Sequence, residues 1–441
     1  MSPAELLNTF FSFLNTHAEY AVLRNWEGLP DHCESRDIDI VLRKKSYRSI
    51  CAELFGLVEM AGWKVITYLR SDRLITWVVA SREGVMQWDF FFDTSVFGIR
   101  LLSTEELLDG ARVLEGPVPV HIVSDRIAFL DKYLYDRAVG ASYPEKYAAV
   151  LAAVEGDSLV LGKVRECFGT GSLEACDKAA SRKMLLHAFL RSPFANFGRF
   201  IRFEAWRLRN YLCSDTGFTV GFTGPDGSGK TTVIDLVRES LGKVFTKAHT
   251  LNHFRPTLFG NISDVAHSAG LKKEVDANYS DPHRGGKTGL LSSFLRLCYY
   301  TTDYLLGWWV AVKTKTRITW LVFFDRYYTD IICDSRRTRI YLPIGFLYTW
   351  GRVLIPALDY NILLTASADA ILARKKELTR EDIDAINSRI DYLMDKAGVE
   401  EVTKKGQYVK VVNESTPREA ADAILGVIYA AQHNKNRKRI L

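Results

Sequence analysis

The stretch GFTGPDGSGKTT, Gly221 to Thr232, constrains this chain more than any other. It follows an apolar run, FTVGF, and precedes TTVIDLVRESL, whose apolar residues recur at helical spacing. Gly224-x4-Gly229-Lys230-Thr231 is therefore a phosphate-binding (Walker A) loop set between a strand and a helix. Glycines let such a backbone turn with positive φ and approach an anion without a Cβ in the way. Successive N–H groups and the helix N-terminus then point partial positive charge at the phosphates. Lys230 is placed to reach the β- and γ-phosphates of ATP, and the Thr231 hydroxyl to ligate Mg²⁺. The nucleotide-binding set read from this stretch is Gly224, Asp226, Gly227, Ser228, Gly229, Lys230, Thr231 and Thr232.

The later runs WLVFFD (Trp320–Asp325), YNILLTA (Tyr360–Ala366) and YVKVVN (Tyr408–Asn413) read as further buried strands separated by helical patterns. That alternation predicts an α/β domain, a parallel sheet wrapped by helices, over residues 215–434. The 441 residues leave room for more. Residues 1–150 mix helical patterns with strand-like runs and predict a small α+β domain. Residues 151–214 read as a helical connector whose second half is basic and aromatic, and 435–441 as a basic tail at a fraying end. The seven cysteines are scattered without a Cys-x-x-Cys pair, which argues against a zinc site and for a reducing compartment. The net charge of +6 suits an anionic partner without choosing one, and no stable nucleic-acid complex is expected. No signal peptide or transmembrane run is evident, so the expected location is cytoplasmic.

The loop interior, Pro225-Asp226-Gly227-Ser228-Gly229-Lys230-Thr231-Thr232, resembles that of thymidylate kinases and their relatives. The resemblance implies that Asp226 faces the sugar of the acceptor. It extends to Asp325-Arg326-Tyr327, which matches the family's Asp-Arg-Tyr: Asp325 would lie near the metal and Arg326 would hold the acceptor phosphate. In ILARKKELTREDIDAINSRIDYLMDKAG, the cations Arg374, Lys375, Lys376 and Arg380 resemble the mobile lid of nucleoside-monophosphate-type kinases. On this likeness Lys230, Asp325, Arg326 and Arg374 are candidate catalytic residues. The likeness covers roughly residues 217–432 and departs at the acceptor side. His253-Phe254-Arg255-Pro256 lacks the family's Glu and glycines, and Arg336, Arg337 and Arg339 replace the thymine-reading run. The changes favour a more anionic acceptor than dTMP: a phosphate-bearing nucleotide, sugar or glycan. The chain resembles a divergent branch of thymidylate-kinase-like proteins, of the kind associated with surface-polysaccharide metabolism, and by that analogy a role there is expected.

In the front half, Asp37 and Asp39 of SRDIDIVL stand two apart on a predicted strand and so leave one face. With Asp89 of MQWDFFFD they form a candidate metal and catalytic set of the kind two-metal nucleotidyl transfer uses. The passage YAVLRNWEGLPDHCESRDIDIVL resembles the nucleotidyltransferase-like domains of the polymerase-β type superfamily, although the Gly-Ser that holds the triphosphate is absent and Arg24 stands in that region. An ordinary strand, a ligand-sensing relic and an active transferase all stay open.

The leading expectation is a two-domain kinase. A nucleotide-gated regulatory module without phosphotransfer, and a nucleotidyltransferase with its main chemistry in the front half, are the alternatives. The aromatic stretches Ser293–Arg317 and Tyr341–Asp359 fit either core helices or a surface for a lipid-linked glycan or membrane face. Homodimerisation is left open.

Overall fold

The computed structural model describes residues 1–35, 37–170, 173, 178–213, 216–245, 249–256, 289–317, 321–375, 377–397 and 407–441. They form two compact units: Met1–Asn210 with Gln432–Leu441, and Tyr211–Ala431.

The first unit is built on a mixed sheet. Its strands are β1 (Tyr20–Val22), β2 (Asp37–Leu42), β3 (Lys64–Arg70), β4 (Leu74–Ala80), β5 (Val85–Phe91), β8 (Arg112–Leu114) and β9 (Val120–Ile122), in the order β3-β4-β5-β2-β1-β9-β8. A small hairpin, β6 (Thr94–Val96) with β7 (Ile99–Leu102), stands apart from it. Alternation along β2 decides which face each residue serves. Ile38, Ile40 and Leu42 join one core with Trp77, Trp88 and Phe90, against Leu6, Leu7 and Phe10 of helix Pro3–His17. Phe10 stacks on Trp88 at 4.1 Å. Val41 joins the opposite core, with Phe91 and with Phe129 and Tyr133 of helix Asp125–Val139. Asp37 and Asp39 share the parity of Val41.

Two boundaries differ from the sequence expectation. Val154, Val160, Val164, Cys167, Phe168 and Ala188 are buried in this second core, so the helices Ser158–Phe168 and Lys178–Leu190 are part of the first unit, not a separate connector. Apolar burial decides this, because their apolar stripes have a core to enter. The C-terminal residues do not fray. They stay helical to Ile440, with Asn436 donating to the carbonyls of Val65 and Ile66 at 3.1 and 2.8 Å.

The second unit carries a fully parallel sheet of β11 (His249–His253), β12 (Leu321–Asp325), β10 (Phe218–Thr223), β13 (Tyr360–Thr365) and β14 (Gln407–Val412), in that spatial order. Every residue of β10 and β13 is buried, which explains why they read as continuous apolar runs without alternation. β10 is central and is the first strand of the sheet in sequence. Neighbours on either side come later in the chain, so the crossovers diverge next to its C-terminal end. Ligands of open α/β sheets gather at such a switch point. Trp320 lies outside the described residues.

Candidate active site

β10 runs into the glycine loop at this switch point, and helix Lys230–Val244 leaves it. The backbone needs its glycines. Gly227 and Gly229 have φ of 86° and 84°, and a Cβ on Gly224 would sit 2.1 Å from the Leu364 carbonyl oxygen. Asn413, just beyond β14, fixes the far side of the loop. It is 1% exposed, and its Nδ2 donates to the Ser228 carbonyl at 2.8 Å. Thr231 and Thr232, in the first turn, are exposed.

Lys230 is buried and turned onto its own loop, donating to the carbonyls of Gly224 and Pro225 at 2.8 Å each. Burial, reinforced by the Arg326 guanidinium, lowers its pKa to about 7 against the pull of Asp226, Asp330 and Asp325. Asp226 is the hub beside it. One carboxylate oxygen accepts from Arg326 and the other from Arg337, and Lys230 Nζ lies 3.7 Å away.

Arg326 follows β12 in a left-handed conformation, φ 76°, with its N–H bonded to the Phe222 carbonyl at 2.9 Å. Its guanidinium also pairs with buried Asp330 at 2.7 Å. Burial works against this charge, but Asp330, Asp226 and Asp325 outweigh it and raise the Arg326 pKa. Charged Arg326 is thus held at the end of β12, next to the loop.

Asp325 closes β12 in register with Phe222 of β10 and His253 of β11. Its Oδ2 lies 3.4 Å from His253 Nδ1, while its buried Oδ1 has no hydrogen-bond partner among the described residues. An orphaned carboxylate oxygen near a phosphate loop fits a hard cation such as Mg²⁺. The glycine cradle, the exposed Thr231 hydroxyl and this oxygen together fit Mg²⁺-ATP.

The end of helix Ala368–Arg374 lies on the loop, since a Cβ on Gly227 would approach Ile371 Cγ2 at 3.0 Å and Lys375 Cβ at 3.3 Å. Arg374 donates to the Asn413 carbonyl at 3.1 Å, whereas Lys375 pairs with Glu377 and Arg380 with Asp369. Lys376 lies outside the described residues. Of the cluster Arg336, Arg337 and Arg339, Arg337 reaches the loop, Arg336 pairs with Asp382 and Arg339 marks a left-handed turn with φ 54°.

Sequence reasoning missed Asn413 and Asp330. The position of Asn413 just past a parallel strand was the available signal. Asp330 had only its i+4 spacing from Arg326. Arg255 belongs to the segment that lacks the family's acceptor-side Glu and glycines. It is buried at 5% exposure and pairs at 2.7 Å with Asp303, itself 0% exposed.

In the first unit, β2 and β5 pair in parallel with Asp39 opposite Asp89, and the ligand atoms of Asp37, Asp39 and Asp89 all lie within 4.8 Å of one another. Arg24 bridges Asp39 and Asp131 at 2.7 Å each. Burial, only partly offset by Arg24, raises the Asp39 pKa to about 7, and Asp37, Asp89 and Asp131 push the same way. Asp89 is likewise raised by burial, although Thr76 and Gln87 donate to it. Arg24 thus serves as counter-charge to the carboxylates.

No helix among the described residues is long and apolar enough to cross a membrane. Helix Leu290–Gly307 buries Leu297 and Tyr304 in the core while Leu290, Leu291 and Leu295 stay exposed, so the aromatic stretch supplies both core and surface.

No family model matches the chain, and no curated protein does. Among solved structures, the chain is similar to the thymidylate kinase of Ehrlichia chaffeensis at 13% identity, with 48% of this chain and 98% of that one covered and a TM-score of 0.33. It is also similar to the thymidylate kinase of Candida albicans at 14% identity, with 49% of this chain and 93% of that one covered and a TM-score of 0.33. Likenesses this distant transfer no activity, and the functional reading rests on the geometry of the loop and its arginines.

Proposed function

We propose that the second unit is an ATP- and Mg²⁺-dependent phosphotransferase acting on a phosphate-bearing acceptor. One observation carries this: Arg326 and Arg337 converge on Asp226 inside a glycine loop that also holds Lys230. A loop that only bound a triphosphate would need Lys230 and its N–H groups. Two further guanidiniums gathered at one end provide for a second anion.

Thr231 and Asp325 would hold Mg²⁺, which supplies charge neutralisation on the triphosphate when bound. The chain's own residues do the rest. The loop amides and Lys230 bind and orient the donor. Arg326, fixed by Asp330 and the Phe222 carbonyl, and Arg337 orient the acceptor and offset negative charge as the phosphoryl group moves. Arg374, tied to the Asn413 carbonyl, connects the lid to the loop.

The test is acceptor-dependent ADP formation across nucleoside monophosphates and phosphorylated sugars. Lys230→Ala abolishes turnover in a folded protein. Arg326→Ala lowers kcat/KM for the acceptor by about 10²-fold or more with ATP binding retained, since buried charged contacts are worth about 3 kcal/mol. ATP consumption unchanged in Lys230→Ala would refute the assignment. Tight ATP binding with no acceptor among these classes would favour the regulatory reading.

A second reading concerns the first unit. The convergence of Asp37, Asp39 and Asp89 supports a divalent-metal site of the nucleotidyl-transfer type.

A further inference from the structure

The first unit has a concavity of about 280 Å³ which none of the functions above uses. Its position follows from the strand directions. Lys44 comes two residues after the end of β2 and Asp93 two after the end of β5, so the cleft opens at the ends of these parallel strands, while Asp39 and Asp89 lie several residues upstream. At about 3.3 Å per residue, that separates it from the carboxylate cluster by on the order of 10 Å or more.

The walls are strongly cationic. Lys44, Arg70, Arg100, Arg199 and Arg202 face two carboxylates, Asp72 and Asp93. Asp93 pairs with Arg100 at 3.6 Å, and no carboxylate among the described residues lies within ion-pair distance of Arg70, Arg199 or Arg202. The cations disfavour one another: burial, with Arg100 and Arg202 adding to it, lowers the Arg199 pKa, and burial with Arg70 and Arg48 lowers that of Lys44. An anion in the cleft relieves this repulsion.

Two further features narrow the ligand. Asp93 brings a carboxylate to the cleft wall, its Oδ2 3.6 Å from Arg100 Nε, and a carboxylate can accept a ligand hydroxyl. Phe203 and Trp206 add aromatic surface at the rim. The wall is also firmly built: the β6–β7 turn touches the helix that carries Arg199 so closely that a Cβ on Gly98 would come within 2.8 Å of the Arg199 carbonyl oxygen.

We infer that this cleft binds a small phosphorylated sugar, its phosphate held by Arg70, Arg199 and Arg202, a hydroxyl donated to Asp93 and the ring face laid on Trp206. The volume falls just below the usual range for small-molecule sites, roughly 300–1,000 Å³, so it suits a monosaccharide phosphate better than a nucleotide.

The test titrates the full-length protein with glucose 1-phosphate, inorganic phosphate and glucose, followed by calorimetry and tryptophan fluorescence. The expected result is glucose 1-phosphate binding at least tenfold tighter than either fragment. Arg199→Gln/Arg202→Gln weakens it at least tenfold with the circular dichroism and ATP affinity of the parent, and Trp206→Leu erases the preference for the sugar over inorganic phosphate. Arg70→Gln, at the exposed end of β3, gives the same loss of affinity should the double variant fail to fold. Equal affinity for glucose 1-phosphate and inorganic phosphate would reduce the cleft to a bare anion site and overturn the inference. Binding that survives both arginine variants would place the ligand elsewhere, for instance in the second unit, and overturn it equally.

Discussion

Replacing Asn413 by alanine isolates how the loop is held. The Asn413 side chain donates to the Ser228 carbonyl at 2.8 Å from a position 1% exposed to solvent. The side chain packs directly on the loop: a Cβ on Gly229 would lie 2.6 Å from Asn413 Nδ2. Alanine leaves the Ser228 carbonyl unpartnered where water has little access, and a stranded buried acceptor costs about 1–3 kcal/mol. The peptide that follows Ser228 is then free to rotate, and its N–H is one of those expected to meet phosphate. If the whole cost falls on ordering the loop, Mg²⁺-ATP affinity drops about 5- to 150-fold. If it falls on the folded unit, the melting temperature drops instead, by about 2–4 °C per kcal/mol for a unit of this size. Calorimetric titration with Mg²⁺-ATP and a thermal melt on the same preparation separate the two. Affinity and melting temperature both equal to the parent's would refute the role given to Asn413.

Three other outcomes follow from the described contacts. Arg255→Ala leaves Asp303 charged in a fully buried position and lowers the stability of the second unit by about 3–5 kcal/mol in denaturant titration, while Arg255→Met with Asp303→Leu recovers much of it. His433 accepts from the Val65 N–H at 3.0 Å, and burial lowers its pKa below 6.5 despite Glu59, with Lys64 and Arg437 adding to the effect. The unfolded chain therefore binds more protons just below pH 6.5, so the first unit loses stability as pH falls through that window, and His433→Gln flattens the profile of melting temperature against pH. Asp37→Asn reduces Mn²⁺ binding to the full-length chain at least tenfold while leaving Mg²⁺-ATP affinity at the glycine loop unchanged; equal Mn²⁺ binding would remove the case for a metal at that cluster.

Much of this was legible because the determinants are local. A glycine loop, its strand and its helix are consecutive residues, and each restricts the others. Asp37 and Asp39 could be placed on one face by alternation alone, and Asp89 fell opposite Asp39 through strand pairing. What stayed hidden is long-range. Asn413 meets Ser228 across 185 positions, and Arg337 meets Asp226 across 111. No periodicity connects such residues. The helices after residue 150 were misjudged as a connector because their apolar stripes find their partners on helix Asp125–Val139 and on β7, and a stripe does not name its partner. The C-terminal residues looked like a frayed end for the same reason. Lys435, Arg437, Lys438 and Arg439 are exposed, but Asn436 donates to backbone carbonyls more than 360 residues earlier.

The carboxylate of Asp226 has a consequence for selectivity on the phosphotransfer reading. Arg326 and Arg337 are already engaged before any acceptor arrives. Recruiting them is then an exchange of one anion for another, not a simple addition. A neutral sugar or a singly charged ligand has too little charge to displace the internal carboxylate. A dianionic phosphate, able to satisfy two guanidiniums at once, does. Asp226 would thereby act as a threshold, weakening every acceptor somewhat and weakly charged ones most.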